Sequence, residues 1–225
     1  MKIDKIESML IGGGFVVRIT TDSGITGIGQ TACWGYPTAV ESIVEVFKKY
    51  LIGQNPLRIE HHWNHLYRMA PFRGTAIMGS VAAIDIALYD IKGKHFDVPV
   101  WELLGGNVRD KIRLHLLGGG STPEKNYEAA KAAVAEGFTA MKFDLDDGNR
   151  PEKIDRWNWT VHPAELEVIV AEAHEIREAV GADMDLGIDL HGRYDATAGM
   201  KVAHALEDLN LMWLEEPVPP ENIQA

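Results

Sequence analysis

The chain has 225 residues, of which 46% are hydrophobic, so it can bury a substantial core as one large domain or two smaller ones. Its 33 acidic and 22 basic residues give a formal net charge of −11, which argues against nucleic acid and membrane partners because both surfaces are anionic. A single cysteine, Cys33, excludes an intrachain disulfide and a cysteine-rich metal site, and together with the lack of an export signal it predicts a cytoplasmic protein.

The N-terminal half reads as a mixture of strands and helices. Residues 1–31 alternate in apolar character, which predicts an antiparallel meander. A helix follows in "PTAVESIVEVFKKYLIG", with Thr38 as its N-cap and Glu41 completing a capping box. A second helix is predicted to begin at Asn55, as a cap followed by a proline, and a third covers "TAIMGSVAAIDIALYDIKGK". Together these elements indicate an α+β domain.

The pattern changes after "VPVWELLGG", near Asn107. From there, short apolar strands alternate with long amphipathic helices, which is typical of βα units around a parallel sheet. Four such strands are predicted, in the segments "IRLHLL", "FTAMKFDL", "MDLGIDL" and "LMWLEEP". We therefore expect two domains, comprising residues 1–110 and 111–225.

Charged residues follow these strands at their carboxyl ends, where parallel α/β folds bind ligands. The second strand ends in Lys142 and Asp144, the third in Asp189 and His191, and the fourth in Glu215. Carboxylates without cysteine suit a hard cation such as Mg²⁺, with Asp189 and Glu215 as its ligands. Two alternatives stay open: the lysine and carboxylates form a buried ion-pair network, and the histidine is an ordinary hydrogen-bonded residue.

Two longer motifs resemble a known family. The segment "AAIDIALYDIKGKHFDVPVWELLGG", residues 82–106, closely resembles the signature helix and turn of the mandelate racemase and muconate lactonizing group of the enolase superfamily. Asp189 and Glu215, the latter in "WLEEP", have the spacing of that family's first and second Mg²⁺ ligands. The resemblance implies an α+β capping domain followed by a (β/α)8-type, TIM-like barrel of which only the first four βα strands are present.

The subgroup is indicated by "DLHGR" at residues 189–193, with "LIGQNPLRIEHHWNHLYR" and "GGNVRDKI", which resemble the galactonate dehydratase type of acid-sugar dehydratase. This likeness implies a Mg²⁺-dependent β-elimination that converts a sugar acid to a 2-keto-3-deoxy acid. It makes His191 the general acid, and Lys142 the cation that offsets charge on the substrate carboxylate or enediolate. Asp144 stands where some relatives carry a lysine base, so the base and third metal ligand are expected beyond residue 225. The isolated chain is accordingly expected to be inactive and to self-associate, as a homo-oligomer or with a complementary chain.

Other candidate residues have a structural explanation beside the functional one. Trp34, Tyr36 and Arg73 lie in loops that, in relatives, fold over the barrel mouth and contact substrate, although an exposed aromatic or a structural arginine would look the same. The cluster "HHWNH" is interpreted as surface or packing residues. At the level of function, the alternatives are a racemase or epimerase of the same superfamily and a non-catalytic fragment or pseudoenzyme.

Overall fold

The N-terminal residues form a three-stranded antiparallel sheet in the computed structural model, which describes residues 1–33, 35–118, 122–145 and 158–225. The strands pair in chain order and are β1 (Ile3–Ile11), β2 (Gly14–Thr21) and β3 (Thr26–Thr31). Alternate residues of β2 are buried, as in a sheet with one covered face. The predicted meander is therefore confirmed. The sheet belongs to the first of two units into which the chain divides, Met1–Asp110 and Lys111–Ala225.

Four helices complete the first unit: α1 (Pro37–Leu51), α2 (Ile59–Arg68), α3 (Thr75–Phe96) and α4 (Val100–Leu103). Helix α3 lies directly on β3 because that strand carries glycines where the two meet. A Cβ atom on Gly29 would lie 1.8 Å from the carbonyl oxygen of Ala83, and one on Gly27 would lie 2.0 Å from that of Ala87. In the parts of the chain that the structure describes, no helix is long and apolar enough to cross a lipid bilayer.

The starts of α1 and α2 differ from the prediction. Thr38 already lies inside α1, whose N-cap is Tyr36 and has no side-chain capping hydrogen bond, so the predicted capping box is wrong. Helix α2 begins at Ile59 rather than at the predicted cap, Asn55. The Asn55 side chain accepts a hydrogen bond from the Leu57 backbone N–H at 3.0 Å, and this local turn replaces the expected helical start.

The second unit is built on a parallel sheet in which the strands are ordered as in the chain: β4 (Leu116–Leu117), β5 (Ala140–Asp144), β6 (Asp185–Asp189) and β7 (Trp213–Glu215). The connecting helices are α5 (Pro123–Ala135), α6 (Pro163–Val180) and α7 (Ala196–Ala205). All four predicted strands are present, although β4 has only two residues. Phe143, Leu186 and Ile188 point toward the helices and are buried with them. The opposite face of the sheet carries the charged residues.

Candidate active site

Three acidic residues lie side by side at the carboxyl ends of three adjacent strands. Asp144 of β5 pairs with Asp189 of β6, and Asp189 pairs with Glu215 of β7. Residues opposite each other in a parallel pair project from the same face of the sheet. The pairing therefore places three carboxylates in one row, at the edge where parallel α/β folds bind ligands.

Lys142 is the cation at the centre of this row. Its Nζ donates a hydrogen bond to Asp189 Oδ2, and lies 3.4 Å from Glu215 Oε2 and 3.8 Å from Asp144 Oδ1. Burial lowers the pKa of Lys142, but the hydrogen bond to Asp189 and the charges of the three carboxylates outweigh burial, so the pKa lies above its ordinary value. The ion-pair network expected as an alternative is thus present. One ammonium thus faces three carboxyl groups.

His191 lies beside Asp189, but not for the reason that the sequence suggested. Strand β6 ends at Asp189, and His191 adopts a left-handed backbone conformation, with φ of +48°, in the turn that follows. In this turn the His191 backbone N–H donates to Asp189 Oδ1 at 2.9 Å, and the ring Nε2 lies 3.5 Å from Asp189 Oδ2. A side chain in this conformation costs roughly 1–2 kcal/mol, a strain that recurs at functional sites.

Asp189 is the most deeply buried of the three acids, with its side chain 5% exposed. Burial raises the pKa of this carboxyl, but hydrogen bonds from Lys142 and from the His191 backbone N–H, and the nearby positive charge, lower it further than burial raises it. The net pKa lies below the usual value for an aspartate. Asp189 is therefore held as a carboxylate, the form that binds a metal ion.

The donor atoms of Asp144, Asp189 and His191 lie within 4.8 Å of one another, close enough to share one metal ion. Among the described residues this group includes Asp144 but not Glu215, whereas the sequence paired Asp189 with Glu215. Two carboxylates and one imidazole, with a third carboxylate next in the row, fit a divalent cation that prefers oxygen ligands. The cluster is therefore a candidate divalent-metal site.

Trp213 is a site residue that the sequence analysis did not identify. It lies two residues before Glu215 on β7, hence on the same face, and its indole Nε1–H donates to Glu215 Oε2 at 3.1 Å. The tryptophan was visible in "WLEEP", and the period-2 rule used for the other residues would have placed it beside Glu215. An indole does not ionise, so a search for charged side chains at strand ends does not find it.

The three predicted substrate-contacting residues belong to the first unit. Tyr36 is 72% exposed and precedes α1. Arg73 donates to the carbonyl oxygens of Tyr67 and Pro71, at 3.1 and 2.9 Å, and its guanidinium carbon lies 4.4 Å from the centroid of the Tyr67 ring. Arg73 therefore has a structural role within its own loop. Trp34 lies outside the described residues, and substrate contact by these three stays a prediction.

Comparison with known proteins identifies the family. Residues 13–105 match the mandelate racemase/muconate lactonizing enzyme N-terminal domain, and residues 126–225 match the family described as enolase C-terminal domain-like. The two matches follow the order of the α+β unit and the parallel α/β unit. The chain therefore belongs to the mandelate racemase/muconate lactonizing enzyme group of the enolase superfamily, and its fold combines a capping domain with an α/β barrel domain.

Within this group, the chain is similar to sugar-acid dehydratases. It is 38% identical to a D-galactonate dehydratase of Pectobacterium atrosepticum, with 100% of this chain and 57% of the relative covered. It is 34% identical to a D-xylonate dehydratase of Haloferax volcanii, with 98% and 55% covered. Among solved structures, a mandelate racemase/muconate lactonizing enzyme-like protein from Rubrobacter xylanophilus has a TM-score of 0.91 at 32% identity, covering 98% of this chain and 61% of that one. The chain thus spans between half and two thirds of the length of these relatives.

Proposed function

We propose that this chain belongs to a Mg²⁺-dependent dehydratase of a sugar acid, an aldonate similar to galactonate or xylonate. The observation that carries the proposal is the row of three carboxylates, with Lys142 at its centre and His191 beside Asp189. The relatives named as D-galactonate and D-xylonate dehydratases support the substrate class. The product is a 2-keto-3-deoxy acid.

In this proposal Asp189 and Glu215 hold Mg²⁺, with Asp144 as the neighbouring acid. Asp189 suits the role because it is buried and ionised, and Glu215 because it lies directly opposite Asp189. When bound, Mg²⁺ would withdraw electron density from the substrate carboxylate and so favour loss of the adjacent proton. Its preference for oxygen ligands matches the three acids.

Lys142 and His191 have separate roles in the elimination. Lys142 places a fixed positive charge where the substrate carboxylate gains negative charge, which stabilises that state. In the elimination, a base takes the proton from carbon 2 and the bond between carbon 3 and its oxygen breaks. His191 gives a proton to the leaving hydroxide, which departs as water. The enol product then tautomerises to the 2-keto acid.

We further propose that β4–β7 form one half of a (β/α)8 barrel and that the base lies on the other half. Residues 1–225 alone would then not catalyse the dehydration. The proposed enzyme acts on a small molecule, in the cytoplasm, and as a homo-oligomer. Trp34, Tyr36 and Arg73 are proposed to contact the substrate from the capping domain.

The test is the His191→Asn variant in the enzyme with its complete barrel. Dehydration of an aldonate panel should fall by a factor on the order of 10²–10⁴, the usual contribution of general acid catalysis. Exchange of the carbon-2 proton with solvent deuterium should survive, because the base acts before the leaving group departs. The control is His204→Asn, since His204 is 81% exposed on α7. Equal dehydration by wild type and His191→Asn would contradict the role, and no keto product from any aldonate would refute the dehydratase.

A further inference from the structure

We propose that Trp213 is a positioning residue for Glu215, and that it determines which carboxylate oxygen is left to hold a cation. The indole Nε1–H donates to Glu215 Oε2 at 3.1 Å. The same oxygen lies 3.4 Å from Lys142 Nζ, so both donors lie against the Oε2 side of the carboxylate. Oε1 is the oxygen that neither of these donors occupies, and it would be the one to hold a cation. This inference rests on the proposed metal role of Glu215.

The indole is held in place by the row of residues just below the acids. Trp213 of β7 pairs with Gly187 of β6, and Gly187 pairs in turn with Lys142 of β5. A Cβ atom on Gly187 would lie 2.7 Å from Trp213 Cε2 and 2.9 Å from Nε1, so the ring covers the space that a side chain at this position would need. The His115 ring meets the indole edge to face, with centroids 5.5 Å apart. The glycine is therefore required for the ring to occupy this position.

Glu215 needs such support more than Asp189 does. The Glu215 side chain is 42% exposed, whereas that of Asp189 is 5% exposed and receives hydrogen bonds from Lys142 and the His191 backbone. A half-exposed glutamate loses side-chain entropy when it is fixed by a metal ion. A hydrogen bond that already fixes its orientation lowers this cost, and loss of such a partner weakens metal binding by about 10- to 100-fold.

Two variants test the inference by different routes, with Mg²⁺ affinity measured by calorimetry on the complete protein. Trp213→Phe keeps an aromatic ring and removes the N–H donor, while Gly187→Ala keeps the donor and displaces the ring. Each should weaken Mg²⁺ binding by about 10- to 100-fold. Trp101→Phe is the control, because Trp101 is 47% exposed on α4, and its affinity should equal that of wild type.

A double-mutant cycle separates positioning from general packing. In a Glu215→Ala background, which has no side-chain oxygen for the indole to orient, Trp213→Phe should have little further effect on Mg²⁺ affinity, because the two changes remove one coupled interaction. A purely structural role would instead lower the melting temperature and leave the affinity of folded Trp213→Phe unchanged, and that result would overturn the inference alone. Absence of Mg²⁺ binding by the wild type would overturn both the inference and the proposed metal site.

Discussion

Asp189 and Glu215 lie directly opposite each other on adjacent parallel strands, yet their environments differ sharply. Asp189 is almost fully buried and its pKa is lowered, whereas Glu215 is 42% exposed and is fixed by Trp213. A cation bound between them would thus have one preformed ligand and one that is oriented by a hydrogen bond.

Asp189→Asn is expected to weaken Mg²⁺ binding by at least about tenfold, which corresponds to roughly 1.4 kcal/mol. The change removes a formal charge at nearly constant shape. The asparagine amide has a single oxygen, so it cannot accept hydrogen bonds from Lys142 and from the His191 backbone through two separate oxygens, as the carboxylate does. Calorimetric titration checks this, with the exposed Asp183→Asn as the control. Unchanged affinity in a folded Asp189→Asn protein would remove Asp189 from the proposed ligand set.

Lys142→Met is expected to destabilise the metal-free protein by roughly 3 kcal/mol, because it leaves three carboxylates together without their cation. Added Mg²⁺ should restore more stability to this variant than to wild type, since the ion replaces the missing positive charge. Differential scanning calorimetry in EDTA and in Mg²⁺ measures both effects. Lys201→Met, at an exposed position on α7, should behave as wild type. Equal gains on adding Mg²⁺ would mean that the ion binds elsewhere.

His62 is expected to make the stability of the capping domain depend on pH. It is buried, and its Nε2–H donates to the Asn55 carbonyl at 2.8 Å while Nδ1 accepts from the Tyr50 hydroxyl at 2.9 Å. Burial lowers the pKa of His62 below the ordinary histidine value, the hydrogen bond to Asn55 raises it by less, and the positive charges of neighbouring residues lower it further. The unfolded chain therefore binds this proton more readily than the folded one.

The contribution of neutral His62 to the free energy of unfolding is complete above the unfolded pKa and is lost as the pH falls from there through the lower, folded pKa. Denaturant unfolding is measured at about pH 7.5 and about pH 5.5, on either side of the usual histidine pKa of about 6.5. Between these two pH values wild type should lose more stability than His62→Gln. His95→Gln, at an exposed position of the same domain and not among the groups whose charge acts on His62, should keep the wild-type slope. Identical slopes for wild type and His62→Gln would exclude this group as the cause.

Gly29→Ala is expected to be strongly destabilising, by about 3 kcal/mol or more, because its Cβ would overlap a backbone oxygen of α3 that cannot move independently. Gly13→Ala is the matched control, since a Cβ there would meet no atom within 4 Å. Thermal unfolding of both variants measures the difference. A Gly29→Ala protein as stable as Gly13→Ala would mean that β3 and α3 are less closely packed than described.

The site illustrates what could be predicted from the sequence and what could not. The row of Asp189 and Glu215 was predictable because parallel strands bring their carboxyl ends to one edge. The nearness of His191 was expected for the wrong reason, since it depends on a left-handed turn after β6 and not on strand alternation. Hydrogen bonds to the neighbouring strand end flank His191, from the Leu190 N–H to the Glu215 carbonyl and from the Gly192 N–H to the Glu216 carbonyl, and a local reading of residues 189–193 does not contain them.

The capping domain shows a second limit. Asn55 followed by proline satisfies the rules for a helix start and equally those for a turn, and both use the same side-chain oxygen. The structure has the turn, with α2 beginning at Ile59. The long helix α3 was predicted without difficulty, because its apolar spacing extends over many turns. The short polar signal at Asn55 thus fits two local structures, whereas the long apolar periodicity of α3 fits a helix.

The strand ends around the acids also set a limit on engineering. His191 and Glu216 both adopt positive φ, at +48° and +42°, within two residues of the ends of neighbouring strands. The Gly192 N–H bonds the Glu216 carbonyl at 2.9 Å, so the two turns support each other. Glycine at either position would relax the backbone, and selection for heat resistance alone would favour that change. At position 191 it would delete the proposed proton donor, so a more durable protein obtained in this way would be a poorer catalyst.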